Sequence, residues 1–353
     1  MAHTAKSNGK TNGKQRSDVK RVNLALQGGG AHGAFAWGVI DRLLEDGNIE
    51  IEGIVGTSAG AMNAAVTAYG LAVGGAEGAR DTLLKFWKGV SDAAKRGPLQ
   101  PTWLDKMLKP GSLDTSPGWM FFDTLSRVMS PYQLNPTNYN PLRDVLASTI
   151  ECEKMWNQKK VKLYICASNV KTGRIRVFDE SDVTIDAVMA SACLPFLFQA
   201  VEIDGEHYWD GGYMGNPPLY PLIYNCGSRD VLVVQLNPIS IPEVPTTAQA
   251  ILDRVNSLSF NSSLMREMRA ISFVTKLIDG GFDDNGRLKR MLIHTVDAED
   301  VISRLGVSSK LNADWDFLMS LHELGRDRAE RFLGEHYDKI GRESSTSIEE
   351  KFL

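Results

Sequence analysis

The chain has 353 residues, of which 43% are hydrophobic, enough for one large folded domain or two smaller ones. Its 39 basic and 43 acidic residues give a formal net charge of −4, which argues against nucleic acid as a partner. The four cysteines form no C-x-x-C pair, and three of them lie in or beside apolar runs. Buried free thiols in a reducing compartment are therefore expected rather than disulfides (Cys152, Cys166, Cys193, Cys226).

The chain begins with a polar segment, residues 1–20, that we expect to be a disordered basic tail. It contains no apolar stretch of the kind that a secretory signal requires, so none is predicted. A basic tail suits contact with anionic lipid, although a solvated tail is the simpler interpretation. We expect one folded domain over residues 21–340, followed by a polar tail, 341–353, that frays beyond Arg342.

The first folded elements form a β–loop–α–β unit. Residues 22–26 are predicted to be a buried strand that runs into a glycine-rich loop, 27–35. A helix follows and ends at Gly47-Asn48, and a second strand covers 49–55. A right-handed crossover places the loops after both strands at the same edge of a parallel sheet. The pattern predicts an α/β fold in which these two loops converge on one crevice.

The second strand leads into Gly56-Thr57-Ser58-Ala59-Gly60, which has the G-x-S-x-G pattern of a nucleophile elbow. Such a turn is strained, and glycines on both sides of the serine remove the steric conflict. The serine then lies at the amino end of the following helix, where the dipole favours an oxyanion. The motif alone is weak, because a Gly/Ser turn before a helix is common.

The glycine-rich loop has three interpretations. Gly28, Gly30 and Gly33 fit a dinucleotide-binding G-x-G-x-x-G, with Glu50 or Glu52 near the distance expected for a ribose ligand. A Walker loop is excluded because no Gly-Lys-Ser/Thr follows. The loop also suits an oxyanion hole, since successive glycine amides can point at one oxygen. The neighbouring serine elbow favours this third interpretation.

The region after the elbow raises two questions about membranes. Residues 54–76 contain no charge and are long enough to span a bilayer, but their many small and polar residues favour a packed helix, predicted from Ala59 to about Tyr69. Residues 76–140 are rich in proline and are expected to form a helical cap. The aromatic cluster Trp119 to Phe122 is interpreted as core, and a lid or a lipid-facing edge is the alternative.

The rest of the chain adds strands and helices to the sheet. An Asp-Gly turn between two short strands predicts a hairpin that ends in Asp210-Gly211-Gly212. The predicted elements are strands at 161–167, 174–178, 201–203, 206–209, 231–236 and 291–296, and helices at 141–150, 184–191, 253–277 and 315–337.

A serine nucleophile needs a base, which is usually a histidine held by an aspartate. Ser58, Asp210 and His294 follow the chain order of an α/β-hydrolase triad, but such a fold has more strands before its elbow. His322-Glu323 begins a near match to H-E-x-x-H, yet Arg326 occupies the second ligand position. A zinc site is therefore unsupported.

Taken together, the motifs resemble those of the patatin-like phospholipase family. Residues 28–33 look like its G-G-G-x-R/K-G loop, residues 56–60 match its G-x-S-x-G elbow, and residues 210–212 match its D-G-G/A motif. Two further blocks are similar, at 190–195 and 216–217. The resemblance covers roughly residues 22–236. It implies a three-layer α/β/α sandwich with a mostly parallel central sheet.

The resemblance also implies a mechanism with a Ser–Asp dyad. Ser58 would attack a lipid ester and Asp210 would act as its base, with no metal or cofactor. The oxyanion hole would comprise Gly28, Gly29, Gly30 and Ala59, supported by His32, Gly33, Gly56, Gly60, Gly211 and Gly212. The expected activity is that of a phospholipase A, lysophospholipase or broad esterase. The expected location is the cytoplasm, with peripheral membrane contact.

Several alternatives remain beside this interpretation. The same site is compatible with a storage polyester or an acyl thioester as the substrate, because an elbow and an oxyanion hole do not discriminate between leaving groups. A triad with His294 and a nucleotide-binding loop are the others. The chain also departs from the family motif at His32, where Arg or Lys is usual, so the loop has no fixed charge of its own.

Overall fold

The computed structural model describes residues 18–108, 110–241 and 243–353; residues 1–17 of the predicted tail, 1–20, lie outside them, and its last residue, Lys20, begins the first strand. The strands of the described part are β1 (Lys20–Leu26), β2 (Ile49–Gly56), β3 (Lys162–Asn169), β4 (Ile175–Asp179), β5 (Val201–Ile203), β6 (Glu206–Asp210), β7 (Asp230–Val234) and β8 (Leu292–Val296). The helices are α1 (Gly33–Asp46), α2 (Ala59–Ala94), α3 (Trp103–Leu108), α4 (Pro117–Ser126), α5 (Pro131–Leu134), α6 (Pro141–Thr149), α7 (Cys152–Gln158), α8 (Ile185–Ser191), α9 (Tyr220–Asn225), α10 (Ala248–Asp279), α11 (Glu299–Ile302), α12 (Trp315–His336) and α13 (Ile348–Phe352).

The strands form one mixed sheet, in which successive paired strands are β5-β6-β3-β2-β1-β7-β8 and β4 also pairs with β3. The centre, from β3 through β2, β1 and β7 to β8, is parallel, and the β3–β4, β3–β6 and β5–β6 pairs are antiparallel. Asp204 and Gly205 both have positive φ, 53° and 78°, as the predicted hairpin turn requires.

Helices cover both faces of this sheet. Alternate strand residues such as Leu24 and Ile54 pack with α1, α2 and α12, whereas Ala25 and Val55 pack with α9, α10 and α13. This alternation follows from the two-residue period of a strand, and it buries the central strands on both sides. The predicted α/β/α sandwich with a mostly parallel sheet is confirmed.

The arrangement of strands around β3 positions the site. β4 pairs with one edge of β3 along residues 164–168, so β2 and β6 must share the other edge. β2 ends with Gly56 opposite Ile165, and β6 ends with Asp210 opposite Ala167. The ends of β2 and β6 therefore face each other. Their last residues, Gly56 and Asp210, pair with β3 residues that are two positions, or about 7 Å, apart.

The helix after the elbow is longer than expected. α2 extends from Ala59 to Ala94, well beyond the predicted end near Tyr69, and it is interrupted at Gly75, whose φ is 63°. Its first part packs in the core, where small residues such as Gly70 allow a close approach to Ala79. No helix in the described part of the chain has the length and apolar character needed to span a membrane.

Two expectations about the periphery are wrong. The cluster at Trp119 to Phe122 is not core, because α4 contains no buried residue and Phe121 is 68% exposed. The C-terminal residues do not fray, because α13 buries Ile348 and Phe352 against the sheet-covering helices. Ile348 and Phe352 are four positions apart and therefore lie on the same face of α13, which lets both pack on α10.

Candidate active site

Ser58 occupies the turn between β2 and α2 in a strained backbone conformation. Its φ is 56° and its ψ is −123°, which non-glycine residues rarely adopt. The flanking glycines are sterically required: a Cβ on Gly56 would lie 2.3 Å from the Gly60 oxygen, and one on Gly60 would lie 2.2 Å from the Leu26 oxygen. The Ser58 amide donates to Ser191 Oγ at 2.9 Å, which fixes the turn from α8.

Asp210 lies at the end of β6 and is fully buried. Its Oδ1 accepts a 2.7 Å hydrogen bond from the Gly212 amide. A Cβ on Gly211 would lie 2.1 Å from the Cys166 oxygen, so only glycine lets the chain turn here beside β3. In the described residues, Oδ2 has no hydrogen bond of good geometry, and the Ser58 hydroxyl is close enough to the carboxyl to lower its pKa.

The environment of Asp210 makes it a weak acid. Burial raises the pKa of its carboxyl from 3.8 to about 7, and this outweighs the lowering caused by the Gly212 amide, the Ser58 hydroxyl and the charge of Lys310. A carboxylate whose pKa lies near 7 holds a proton far better than an exposed aspartate does. It is thus suited to exchange a proton with a hydroxyl at neutral pH.

The glycine-rich loop is held by two asparagines: Asn216, which belongs to one of the blocks similar to the family's, and Asn237, which no sequence motif indicated. The Gly28 amide donates to Asn216 Oδ1 at 2.6 Å, and the Gly28 oxygen accepts from Asn237 Nδ2 at 2.7 Å. The prediction of Gly28 as an oxyanion donor is therefore wrong, since its N–H is already engaged. The amides of Gly29, Gly30 and Ala59 have no acceptor among the described residues and remain candidates.

His32 is a buried structural residue. Its Nε2 lies 2.7 Å from Ser309 Oγ, and that hydroxyl donates its proton to the Gly306 oxygen, so the ring nitrogen must be the donor. Burial, together with the charge of Lys310, lowers the pKa of His32 to about 3, so the imidazole is neutral. It lies within the glycine-rich loop, without the charge that the family motif carries at this position.

His294 does not complete a triad with Ser58. Its Nε2 lies 3.0 Å from Asp230 Oδ1, and its Nδ1 lies 2.9 Å from Ser345 Oγ. Asp230 also accepts from the Gly341 amide at 2.7 Å. Nε2 thus binds β7 and Nδ1 binds the C-terminal segment, so neither ring nitrogen is available to Ser58, and the triad hypothesis is wrong.

This assignment gives a first prediction. We expect His294→Ala to keep ester hydrolysis within about threefold of wild type, but to lower the free energy of unfolding by about 2–4 kcal/mol, because Asp230 stays buried without its partner. Urea unfolding and hydrolysis of a soluble ester measure the two effects. Ser345→Ala is the milder control, with a loss of about 1 kcal/mol. A folded His294→Ala that has lost activity would contradict the structural role.

Ser58 opens into a cavity of about 540 Å³. Gly28, Gly29 and Gly30 line one wall, and the other walls are mostly apolar, with polar groups from the end of α4, from α10 and from the segment 307–311 (Trp119, Phe122, Asp123, Ser126, Arg127, Leu194, Leu197, Tyr213, Phe260, Asp253, Asn256, Lys310). A second cavity of about 410 Å³ shares Asp253, Val307 and Lys310 with it. In the described part of the chain, no group of His, Cys, Asp or Glu side chains has the arrangement of a metal site.

The fold is that of a three-layer α/β sandwich with a G-x-S-x-G turn after its second strand. A family model described as patatin-like phospholipase matches residues 24–223, which is more than half of the sequence. The chain therefore belongs to the patatin-like phospholipase family, which confirms the resemblance and makes a lipid-hydrolysing esterase the class to which it belongs.

Among solved structures, the chain is similar to VipD from Legionella pneumophila, with 16% identity and a TM-score of 0.36, over 87% of this chain and 67% of that one. It is also similar to ExoU of the Pseudomonas aeruginosa type III secretion system, solved with SpcU, with 17% identity and a TM-score of 0.32. That match covers 92% of this chain and 62% of ExoU. No curated protein matches the sequence.

Proposed function

We propose that the protein is a serine acyl hydrolase that cleaves carboxyl esters of lipids, as a phospholipase A or lysophospholipase does, through a Ser58–Asp210 dyad. One observation carries this proposal: a serine on a strained elbow meets a buried aspartate, because β2 and β6 end against each other along β3. Both sides of the pair are fixed by glycines that no other residue can replace.

In the first half-reaction, Ser58 Oγ attacks the ester carbonyl and transfers its proton to Asp210. The amides of Gly29, Gly30 and Ala59 donate to the oxyanion of the tetrahedral intermediate. Ala59 is the first residue of α2, so the helix dipole adds to its effect. The intermediate collapses as Asp210 returns the proton to the leaving alcohol.

In the second half-reaction, water attacks the acyl-enzyme and again gives its proton to Asp210. As this second intermediate collapses, Asp210 returns the proton to Ser58 Oγ, which releases a free fatty acid and regenerates the serine. A base whose pKa is about 7 can accept and return a proton in each half-reaction without a histidine. The apolar part of the cavity suits an acyl chain, since Trp119, Leu194 and Phe260 line it next to Ser58.

We also propose that α4 contacts the lipid surface that supplies the substrate. Trp119 and Phe122 line the cavity, while Met120 and Phe121 on the same helix are 58% and 68% exposed. An apolar helix face that borders the mouth of an apolar cavity suits insertion into a lipid interface. We place the enzyme in the cytoplasm as a peripheral membrane protein.

The α4 proposal predicts a separation between surface binding and chemistry. We expect Phe121→Asp to weaken binding to phospholipid vesicles at least about tenfold, and to leave hydrolysis of a soluble short-chain ester within about twofold. Sedimentation with vesicles and ester turnover provide the two measurements. Tyr224→Asp is the matched control, because Tyr224 is 78% exposed on α9, just before the amino end of β7. Equal vesicle binding by both variants would exclude α4 as the contact.

The direct test of the dyad is covalent labelling with a fluorophosphonate, read by intact mass. Ser58 would form a phosphonyl ester and release fluoride. We expect one adduct on wild type and on His294→Ala, none on Ser58→Ala, and a much slower reaction on Asp210→Asn. A wild-type protein that does not label would overturn the proposed activity.

A further inference from the structure

The glycine-rich loop has no charged side chain of its own, yet a cation lies against it. His32 is neutral, and it stands where the family motif carries Arg or Lys. The cation is Lys310, from the short 3₁₀ helix Val307–Leu311, far beyond the region that the family model matches. The sequence gives no indication that this lysine belongs to the site.

The segment 307–311 is packed directly on the loop. A Cβ on Gly30 would lie 2.2 Å from the backbone oxygen of Lys310, so the two backbones are in close contact. Ser309 in the same segment binds His32. The Lys310 Nζ donates to Asn237 Oδ1 at 2.9 Å, and Asn237 Nδ2 donates to the Gly28 oxygen. The Asn237 side chain thus links the Lys310 ammonium group to the glycine-rich loop.

The charges around Lys310 come from several elements. Asp210 at the end of β6 and Asp253 on α10 are the carboxylates whose charges favour its protonated form, and the adjacent His32 is neutral. Arg254 and Glu243 line the second cavity with Lys310, and Asp123 and Arg127 at the end of α4 line the cavity of Ser58 with it. Burial lowers the pKa of Lys310 to about 8, and its charge in turn lowers the pKa of Asp210.

We propose that Lys310 is the cation that acts on Asp210 and on the oxyanion in this active site, whereas Arg127, which also lines the cavity, is partly exposed and paired with Asp123. It lines the cavity that contains Ser58, and its ammonium group favours the anionic states of the reaction: the charged Asp210 before attack and the oxyanion during it. The charge that the family motif places inside the glycine-rich loop is supplied here from the C-terminal part of the chain. This inference rests on the proposed Ser58–Asp210 chemistry.

The proposal predicts a narrow pH optimum. The fluorophosphonate labelling rate of wild type should rise with pH as Asp210 loses its proton, near pH 7, and fall as Lys310 loses its own, near pH 8. Because the two groups interact, the apparent pKa values of the two limbs describe the coupled pair and not either residue alone. Labelling rates measured from pH 5.5 to pH 9.5 give the profile.

Two substitutions separate the charge from the packing. Lys310→Met keeps the length of the side chain, and we expect a loss of about 10- to 100-fold in labelling rate, smaller than the loss of a direct oxyanion donor. Its acidic limb should move to higher pH, since the charge that lowers the pKa of Asp210 is gone. Lys310→Arg should keep the acidic limb and lose the basic one, because arginine stays charged. The control is Lys171→Met, at an exposed turn.

The outcomes distinguish this inference from the proposed function. If wild type labels on Ser58 and folded Lys310→Met matches it in rate and pH profile, Lys310 has no electrostatic role, whereas the dyad stands. If Lys310→Met does not fold, Lys310→Arg decides: a basic limb that persists near pH 8 would overturn the inference. If wild type itself fails to label, the proposed function is lost, and this inference with it.

Discussion

Ser58→Ala should lower ester hydrolysis by about four orders of magnitude or more, which is the scale of losing a nucleophile in serine hydrolases. The change removes only the hydroxyl. Alanine has the same Cβ, so it meets the same backbone strain at φ 56° and fits the same 7% exposed position. We therefore expect an inactive but folded protein, with a melting temperature within a few degrees of wild type.

The measurement combines turnover of a soluble ester with intact mass after fluorophosphonate treatment. Ser191→Ala is the matched control, because Ser191 Oγ accepts the hydrogen bond from the Ser58 amide and lies outside the attack itself. That variant should label more slowly but still carry the adduct on Ser58, which peptide mapping can show. An adduct that persists in Ser58→Ala would place the nucleophile elsewhere.

Most of the fold was predictable because its signals are local. The buried strands β1, β2 and β7, the glycine-ended helix α1 and the Asp-Gly hairpin each follow from a run of residues and a short-range rule. The meeting of Ser58 and Asp210 is different. It depends on β6 sharing an edge of β3 with β2, and the motif resemblance indicated that pair without explaining it.

The site predictions that were wrong or missing depend on contacts between distant parts of the chain. The Gly28 amide is taken by Asn216, and His294 is taken by Asp230 and Ser345, so neither is available for chemistry. Lys310 reaches the site only because its segment packs on the glycine-rich loop. Pairings at such sequence separations leave no periodic pattern that a reading of one sequence can detect.

The prediction that the aromatic cluster of α4 lies in the core was wrong for another reason. Hydrophobicity predicts a tendency to leave water, and burial in the core is the usual result. Trp119 and Phe122 instead line the cavity, and Phe121 is exposed. A lipid surface would satisfy the same tendency, so composition alone does not separate the two outcomes.

Asp210→Asn should lower ester hydrolysis by about 10³- to 10⁴-fold without destabilising the fold. The amide retains the size of the side chain, and its oxygen can still accept from the Gly212 amide, 2.7 Å from Oδ1 in wild type. What it lacks is a lone pair basic enough to take the Ser58 proton. The loss should appear in turnover and in labelling rate alike, because in both reactions Ser58 must give up its proton as it attacks.

The stability of Asp210→Asn, unlike its activity, should equal or exceed that of wild type above pH 7. The folded-state pKa of Asp210, about 7, lies above the ordinary 3.8, so the folded protein binds this proton more tightly than the unfolded chain. The contribution of Asp210 to stability therefore falls as pH rises from about 4 to about 7, and above pH 7 the buried charge costs on the order of 4 kcal/mol. Asparagine removes that cost. Urea unfolding at pH 8 should find the variant at least as stable as wild type, with the difference shrinking toward pH 4.

Glu267→Gln separates this linkage from catalysis. Burial also raises the pKa of Glu267 to about 7, and its Oε2 accepts from the amides of Leu219 and Tyr220 at 2.6 and 3.1 Å, outside the cavity of Ser58. That variant should shift the pH dependence of unfolding in the same direction and keep its activity. If Asp210→Asn kept more than a tenth of wild-type turnover, the base would have to be sought elsewhere. If it lost turnover and gained stability together, the buried carboxylate would be a group retained for chemistry at the expense of the fold.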